Sequence, residues 1–409
     1  MKFFKEAGWF ISLLSLFFIL FFIVQNINDR FWMHDFEVYY SAANSYIHGE
    51  KVYGVSYGLS SGFYKYSPFA LLIFTPFSLL PFYFAKVIYF IILSAVIIIT
   101  IIKSEKIINR FFLDISLIKK QNLKLFLIFL IILPNIYTEM HLGNINIILL
   151  FVFIIALQML LREKYLLSGL LFALGIMFKP HFLILLPFLL LRKKIKCAFI
   201  IIIFIAIGII FPSLFSGFQS NIQMHKDWLT TMQIHNNSLI NGQDTIYSWL
   251  YKTVVQYIFP DTVNHDKLYG MTIILFISLA FLSLMISHFK KERTAMKNPY
   301  LIQNNFIFEY FLLIALIPNI TVTDSEHFLL SIPLITFIIS YLFEEKISKK
   351  IKILSIFFLV MYGLNIRELI GKTCSAWLTE NGILGLANLF IISISIYVYS
   401  IFFKNLRSN

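Results

Sequence analysis

Residues 87–124 read VIYFIILSAVIIITII and then KSEKIINRFFLDISLIKKQNLK. The first part, 87–102, carries no charge. As a helix it would be roughly 24 Å long, close to the thickness of a hydrocarbon core of about 30 Å. The second part sets six basic residues (Lys103, Lys106, Arg110, Lys119, Lys120 and Lys124) against Glu105 and Asp114. An apolar run closed by a basic loop marks a helix that ends at the cytoplasmic face of a membrane. The same pairing recurs along the 409-residue chain, with apolar runs of about 14–22 residues that match membrane-crossing lengths. The chain is 59% hydrophobic and 13% charged, with a mean hydropathy of +0.81. Soluble domains carry roughly a quarter charged residues, so a soluble enzyme and a disordered chain are both excluded. An outer-membrane barrel needs short alternating segments, and the runs do not alternate. The expected fold class is an all-α, polytopic transmembrane protein.

The net charge of +13 would suit nucleic acid if it were spread over one surface. It is not. Stretches 1–7, 103–124, 162–164, 192–196, 289–300, 344–352 and 404–409 hold about 24 of the Lys and Arg residues and about 7 of the Asp and Glu. Their net charge is near +17, and the remainder is near −4. That is the positive-inside bias, so no nucleic-acid partner is needed.

Parity between these basic loops sets the crossings. Spans are expected at 8–24 and 87–102, and twice between Lys124 and Arg162 with a turn at Glu139–Asn146. Two short ones are expected between Lys164 and Arg192, meeting near Lys179-Pro180, because proline ends the first helix. Others follow at about 197–212, 268–288, 305–317, 327–343, 351–366 and 383–403, about a dozen in all. Segment 67–81, SPFALLIFTPFSLLP, is bracketed by Pro68 and Pro81 with Pro76 inside. A full crossing there would put the basic loop 103–124 outside, so an interfacial or re-entrant segment is expected. The chain then forms one transmembrane domain, 1–409, with cytoplasmic termini and with 25–66 and 213–267 outside. Lys2 and Lys5 precede the first run and no small-residue cleavage site follows it, so a retained signal anchor is expected. Cys197 and Cys374 fall on opposite sides and should not pair, and no metal-type Cys/His spacing exists. No metal or cofactor is expected.

The first outer loop contains FWMHDFEVYYSAANSYIHGEKVYGVSYGLSSGFYKYSP, residues 31–68. Phe36, Tyr39, Tyr40, Ala43 and Ile47 recur at helical spacing, which puts Asp35 in the first turn of an amphipathic helix. Two readings stand for Asp35: an N-cap, which aspartate favours, or a general base at the mouth of a membrane cavity. Glu37 points elsewhere and is the weaker candidate. Lys179 lies between two apolar stretches; it either snorkels to the headgroups or serves a function, as ionisable residues at membrane depth commonly do. His181 is close by and is equally readable as an interfacial histidine.

This loop resembles the alpha-mannosyltransferase-like family of GT-C glycosyltransferases, which includes polyprenyl-phosphate-mannose-dependent phosphatidylinositol-mannoside mannosyltransferases. The resemblance rests on Asp35-Phe36-Glu37-Val38-Tyr39-Tyr40-Ser41-Ala42-Ala43, on Gly49 to Tyr53, and on Tyr66-Ser67-Pro68 before the proline-punctuated apolar run. Three shorter blocks follow in order. Gly143-Asn144-Ile145-Asn146 resembles Gly-Gln-x-Asn, with Asn144 where glutamine is usual. Ser168-Gly169-Leu170 through Lys179-Pro180 resembles a Gly-rich helix ending in Lys-Pro. Pro318-Asn319 through His327-Phe328-Leu329-Leu330 resembles a late block, with one histidine where a pair is common.

The resemblance implies a GT-C fold with short outer helices, and transfer of a hexose, mannose or a related sugar, from a polyprenyl-phosphate donor to a lipid or glycan acceptor. The reaction would run at the outer face of the plasma (inner) membrane, with inversion and usually without a metal. Asp35 matches the family's catalytic aspartate. Lys179 and His327 become candidates for the donor phosphate, with His181 as a helper. Tyr39, Tyr66, Asn144 and Asn146 lie in the matching blocks as candidate substrate contacts. Glu139 and His141 flank the outer turn, as solvated loop residues or as contacts to sugar hydroxyls. Segment 213–267, with His225, Trp228, His235 and Trp249 among its polar and aromatic residues, suits carbohydrate and equally suits an interfacial helix. Glu309 is expected to pack against another helix. The alternative activity is a transporter, flippase or polymerase of lipid-linked saccharides; a transporter would show paired inverted repeats, and none stands out.

Overall fold

The computed structural model describes residues 7–58, 62–113, 121–238, 299–320, 324–343 and 348–408. The expected span 268–288 and most of segment 213–267 lie outside them. Seven of the described helices are long and apolar enough to cross a membrane, and shorter apolar helices lie between them. The chain is a polytopic, all-α membrane protein. Its contacts divide it into two compact units: unit I is built from 12–100 and 137–238, and unit II from 1–11, 101–136 and 239–409.

Through unit I the chain runs in order through α1 (Gly8–Ile27), α2 (His34–Ile47) and a small antiparallel pairing of Ser56–Tyr57 with Gly62–Phe63. Then come α3 (Pro68–Ser78), α4 (Phe82–Phe112), α5 (Gln121–Leu142), α6 (Asn146–Leu161) and α7 (Tyr165–Phe178), with 101–112 of α4 and 121–136 of α5 counted in unit II. A 3-10 turn (Pro180–Ile184), α8 (Leu185–Leu191), α9 (Ile195–Ile210), α10 (Ser213–Ser216) and α11 (Phe218–Ser238) complete it. Helix α3 starts where the sequence dictates: Ser67 caps it by accepting from the Ala70 N–H at 3.3 Å, and Pro68 occupies the first turn, where its missing donor costs nothing. Eleven residues make about 16 Å of helix, half of what a crossing needs. The 165–192 hairpin also forms as its proline requires. Helix α7 stops at Phe178, and Lys179 is extended (φ −130°, ψ 98°), as a residue preceding proline must be.

Small residues set the packing of α7. A methyl group on Gly169 would run into Ile200 of α9, and one on Gly175 into the Phe153 ring of α6. Between helices in lipid, such close backbone approach supplies the van der Waals contact that apolar burial cannot. The outer sides of α1 and α9 remain covered with exposed large apolar residues, among them Leu16, Leu20, Ile23, Phe199, Ile203 and Ile210. In water such patches would aggregate; in a bilayer they meet acyl chains.

Unit II contains α12 (Pro299–Ile320), a 3-10 helix (Ser325–Ser331), α13 (Ile332–Leu342), α14 (Lys349–Gly363), α15 (Arg367–Ile370), α16 (Lys372–Glu380) and α17 (Ile383–Ser408). Asn388 ties three of these together: its Nδ2 donates to the Ala315 carbonyl at 2.7 Å, and its Oδ1 accepts from Ser331 at 2.6 Å. The basic loop 103–124 differs from expectation. Residues 103–112 continue α4 as helix, and α5 begins at Gln121. The reason is a buried ion pair: Lys124 Nζ lies 3.7 Å from Glu105 Oε1, and Gln121 donates to Glu105 Oε2 at 3.0 Å. Glu105 and Lys124 are almost wholly buried, and charges are buried only when paired in this way. Both cysteines are free, Cys197 buried and Cys374 exposed, and Glu309 is buried.

Candidate active site

The site is built around the turn between α5 and α6 in unit I. Gly143 has φ 68°, a left-handed conformation that glycine adopts without cost. An added Cβ would stand 2.9 Å from both Met33 Cε and Phe36 Cβ. The turn therefore presses against the start of α2, and the Met33 N–H donates to the His141 carbonyl at 3.1 Å. Met33, with φ 53°, holds the cap position of α2 without a side-chain bond. Asp35 is thus not the N-cap, one of its two sequence readings. Its carboxylate is turned instead toward the α5–α6 turn.

Asn144 meets it there. Asn144 Oδ1 accepts from the Ile145 N–H at 2.7 Å, and Nδ2 donates to Asp35 Oδ2 at 2.6 Å. A backbone N–H can only donate, so the amide can be oriented in one way only, and Asp35 Oδ2 is an acceptor. The Asn144 carbonyl in turn accepts from the Tyr89 hydroxyl at 3.3 Å.

A second chain of bonds starts two residues on. Lys179 Nζ donates to Asn146 Oδ1 at 2.5 Å, which turns Asn146 Nδ2 toward Glu139 Oε2, 3.2 Å away. Glu139 Oε1 accepts from the Ile147 N–H at 2.9 Å, one of the otherwise unpaired donors at the start of α6. Glu139 is wholly buried and Lys179 nearly so. Glu139 is therefore no solvated loop residue, one of its two sequence readings. A buried carboxylate and a buried ammonium are bridged through one amide, which offsets the cost of desolvating each.

A group of buried tyrosines feels the charge of Asp35. The Tyr39 and Tyr66 hydroxyls lie 2.9 Å apart, and Tyr53 donates to the Tyr66 carbonyl at 2.9 Å. Burial pushes the Tyr39 and Tyr66 hydroxyls well above the usual phenol range, and the negative charge of Asp35 adds to it. Both stay protonated and neutral at physiological pH.

The remaining candidates have these neighbours. His141 lies among rings, stacked on Tyr137 (5.9 Å, 7°) and 5.2 Å from Trp32. His181 sits in the 3-10 turn against Phe182, 4.7 Å between rings. His327 belongs to unit II, where its Nδ1 is 3.3 Å from Oε1 of the buried Glu326. Tyr89 and Trp32 were not singled out by sequence. Tyr89 is one hydroxyl inside an apolar run, and nothing nearby announces its partner 55 residues away.

With this geometry in place, comparison with known proteins adds one finding. No curated protein matches the chain. The family model described as glycosyltransferase family 87 matches residues 63–299. That stretch carries Tyr66, Glu139, Asn144, Asn146 and Lys179 but neither Asp35 nor His327. The match spans more than half of the chain, and this membrane protein therefore belongs to glycosyltransferase family 87.

Proposed function

We propose that the protein transfers a hexose, mannose or a close relative, from a polyprenyl-phosphate sugar to a lipid-linked or glycan acceptor at the outer face of the plasma membrane. One observation supports this above the others: a half-buried carboxylate and a buried ammonium are both anchored in the same α5–α6 turn, Asp35 on Asn144 and Lys179 on Asn146. A displacement at an anomeric carbon needs that pair of charges. Asp35 takes the proton of the acceptor hydroxyl as its oxygen attacks C1. The C1–O bond to the phosphate breaks on the opposite face, with inversion, and the phosphate leaves with the bonding electrons. Lys179, with His181 two residues on in the chain, offsets the charge that develops there. Asn144 and Asn146 position the two charged groups, Glu139 holds Asn146, and Tyr39 and Tyr66 give neutral walls beside Asp35. His141 contacts the sugar side. The donor's polyprenyl chain lies along exposed apolar helix faces.

The test is incubation of the purified protein with polyprenyl-phosphate sugars and extracted lipids, read by mass spectrometry. Appearance of free polyprenyl phosphate together with an acceptor heavier by one sugar is the expected result. General acid–base catalysis contributes about 10²–10⁴ in rate, so Asp35→Asn should lower transfer by that factor while insertion and folding stay normal. An Asp35→Asn protein that transfers at the wild-type rate would remove Asp35 as the base.

A further inference from the structure

Next to Asp35 in the chain, the structure carries a group of rings of which the proposed chemistry uses only His141. Trp32 is 44% exposed. It lies 5.2 Å from the His34 ring and 5.2 Å from the His141 ring, and those two imidazoles are 6.5 Å apart. Tyr137 backs His141 in a parallel stack. We infer that Trp32 is the platform on which a pyranose ring of the acceptor stacks, with His34 and His141 facing its hydroxyls. This deepens the proposed function and rests on it for the identity of the reaction.

Helical geometry separates the two sides. Tyr137 and His141 are four residues apart on α5 and share a face. Glu139 is two residues from His141, about 200° around the helix, and that is the face that holds Asn146 and Lys179. If the donor phosphate is at Lys179, the ring cluster is on the acceptor's side of the base. The chemistry of the cluster selects a sugar over an acyl chain. Trp32 donates its Nε1–H to the Asp29 carbonyl at 2.7 Å, so the exposed indole is left to offer its π-face. A pyranose has one face of C–H bonds that suits an indole and a rim of hydroxyls that suits imidazole nitrogens. An acyl chain would desolvate two imidazoles and offer them no hydrogen bond, which costs free energy, and His34 Nδ1 has Glu37 Oε2 4.0 Å away as a charged neighbour. A tryptophan that merely anchors the protein at the bilayer surface needs no histidines around it.

The test uses the full-length protein in lipid nanodiscs with a labelled polyprenyl-phosphate hexose. A series of methyl hexopyranosides and diacylglycerol serve as alternative acceptors. The wild type should glycosylate a pyranoside; Trp32→Ala should raise the KM for it about tenfold, as loss of an aromatic anchor does, and leave the donor KM unchanged. Trp32→Phe should recover most of the loss. Separately, the same pyranoside should quench tryptophan fluorescence saturably in the wild type and in Asp35→Asn, but not in Trp32→Phe. Transfer to diacylglycerol with no transfer to any pyranoside would overturn the inference and leave the function standing. An unchanged acceptor KM in Trp32→Ala, or donor and acceptor KM rising together, would also overturn it. Failure to release polyprenyl phosphate with any acceptor would instead sink the proposed function, while the quenching experiment would still decide the platform.

Discussion

Asn144 is the residue whose chemistry constrains the site most tightly. Its Oδ1 is committed to a backbone donor, so its Nδ2 must face Asp35, and this keeps an acceptor oxygen on Asp35. Asn144→Asp keeps size and shape but replaces that donor with a second carboxylate. Two carboxylates at this distance share a proton, and one of them ionises at a raised pH. Transfer by Asn144→Asp should fall about 100-fold near neutral pH and recover partly as pH rises, a shift that a simple loss of folding would not give. The tyrosines carry a different pH signature. Burial raises the pKa of Tyr39 and Tyr66, so the folded state favours their neutral form. Their contribution to stability is complete below the ordinary phenol pKa of about 10 and is lost as pH climbs above it. Ultraviolet titration should show a class of tyrosines that ionises only together with alkaline unfolding; ionisation of every tyrosine near pH 10 in the folded protein would contradict it. Asp35, Asn144, Asn146 and Lys179 were legible in the sequence because they stand in short, ordered blocks. Tyr89 was not, since its bond to the Asn144 carbonyl joins residues that only the fold brings together. Trp32 was likewise illegible, as a tryptophan at a loop edge has too many ordinary uses.

At the scale of elements, the α5–α6 turn and the break after α7 do the positioning. Gly143 combines a left-handed backbone with contact against Met33 and Phe36. Gly143→Ala therefore meets both a conformational penalty and an overlap, together about 2–4 kcal/mol. Its melting temperature should fall by several degrees and its transfer rate should drop, since Asn144 and the start of α2 move together; unchanged values for both would show that the turn tolerates a side chain. The hairpin of two short helices at 165–192 was legible because proline enforces its break locally. The true length of α4 was not. Residues 103–112 look like a charged loop by composition, and they become helix because Glu105 finds Lys124 and Gln121 on α5. That pairing is tertiary, and no periodicity announces it.

At the scale of the molecule, apolar composition and the uneven distribution of basic residues carry separate information. Composition fixes the solvent: helices such as α1 and α9 leave large apolar side chains uncovered, which only lipid accommodates. Charge distribution bears on direction, because basic loops tend to stay on the cytoplasmic side. That reasoning puts the first outer loop, and Asp35 with it, outside. The two cysteines provide a native test. Cys374 is exposed and lies in a stretch that this reasoning assigns to the outer face, whereas Cys197 is buried next to a basic stretch that it assigns to the inner face. A membrane-impermeant maleimide applied to intact cells, or to spheroplasts where an outer envelope blocks it, should label one cysteine per chain. Cys374→Ser should abolish that labelling and Cys197→Ser should leave it intact. Labelling of Cys374 only after permeabilisation would invert the orientation, and it would move Asp35 to the cytoplasmic side. The donor would then have to be used on the inner leaflet, so the orientation of one exposed thiol decides which leaflet supplies the sugar.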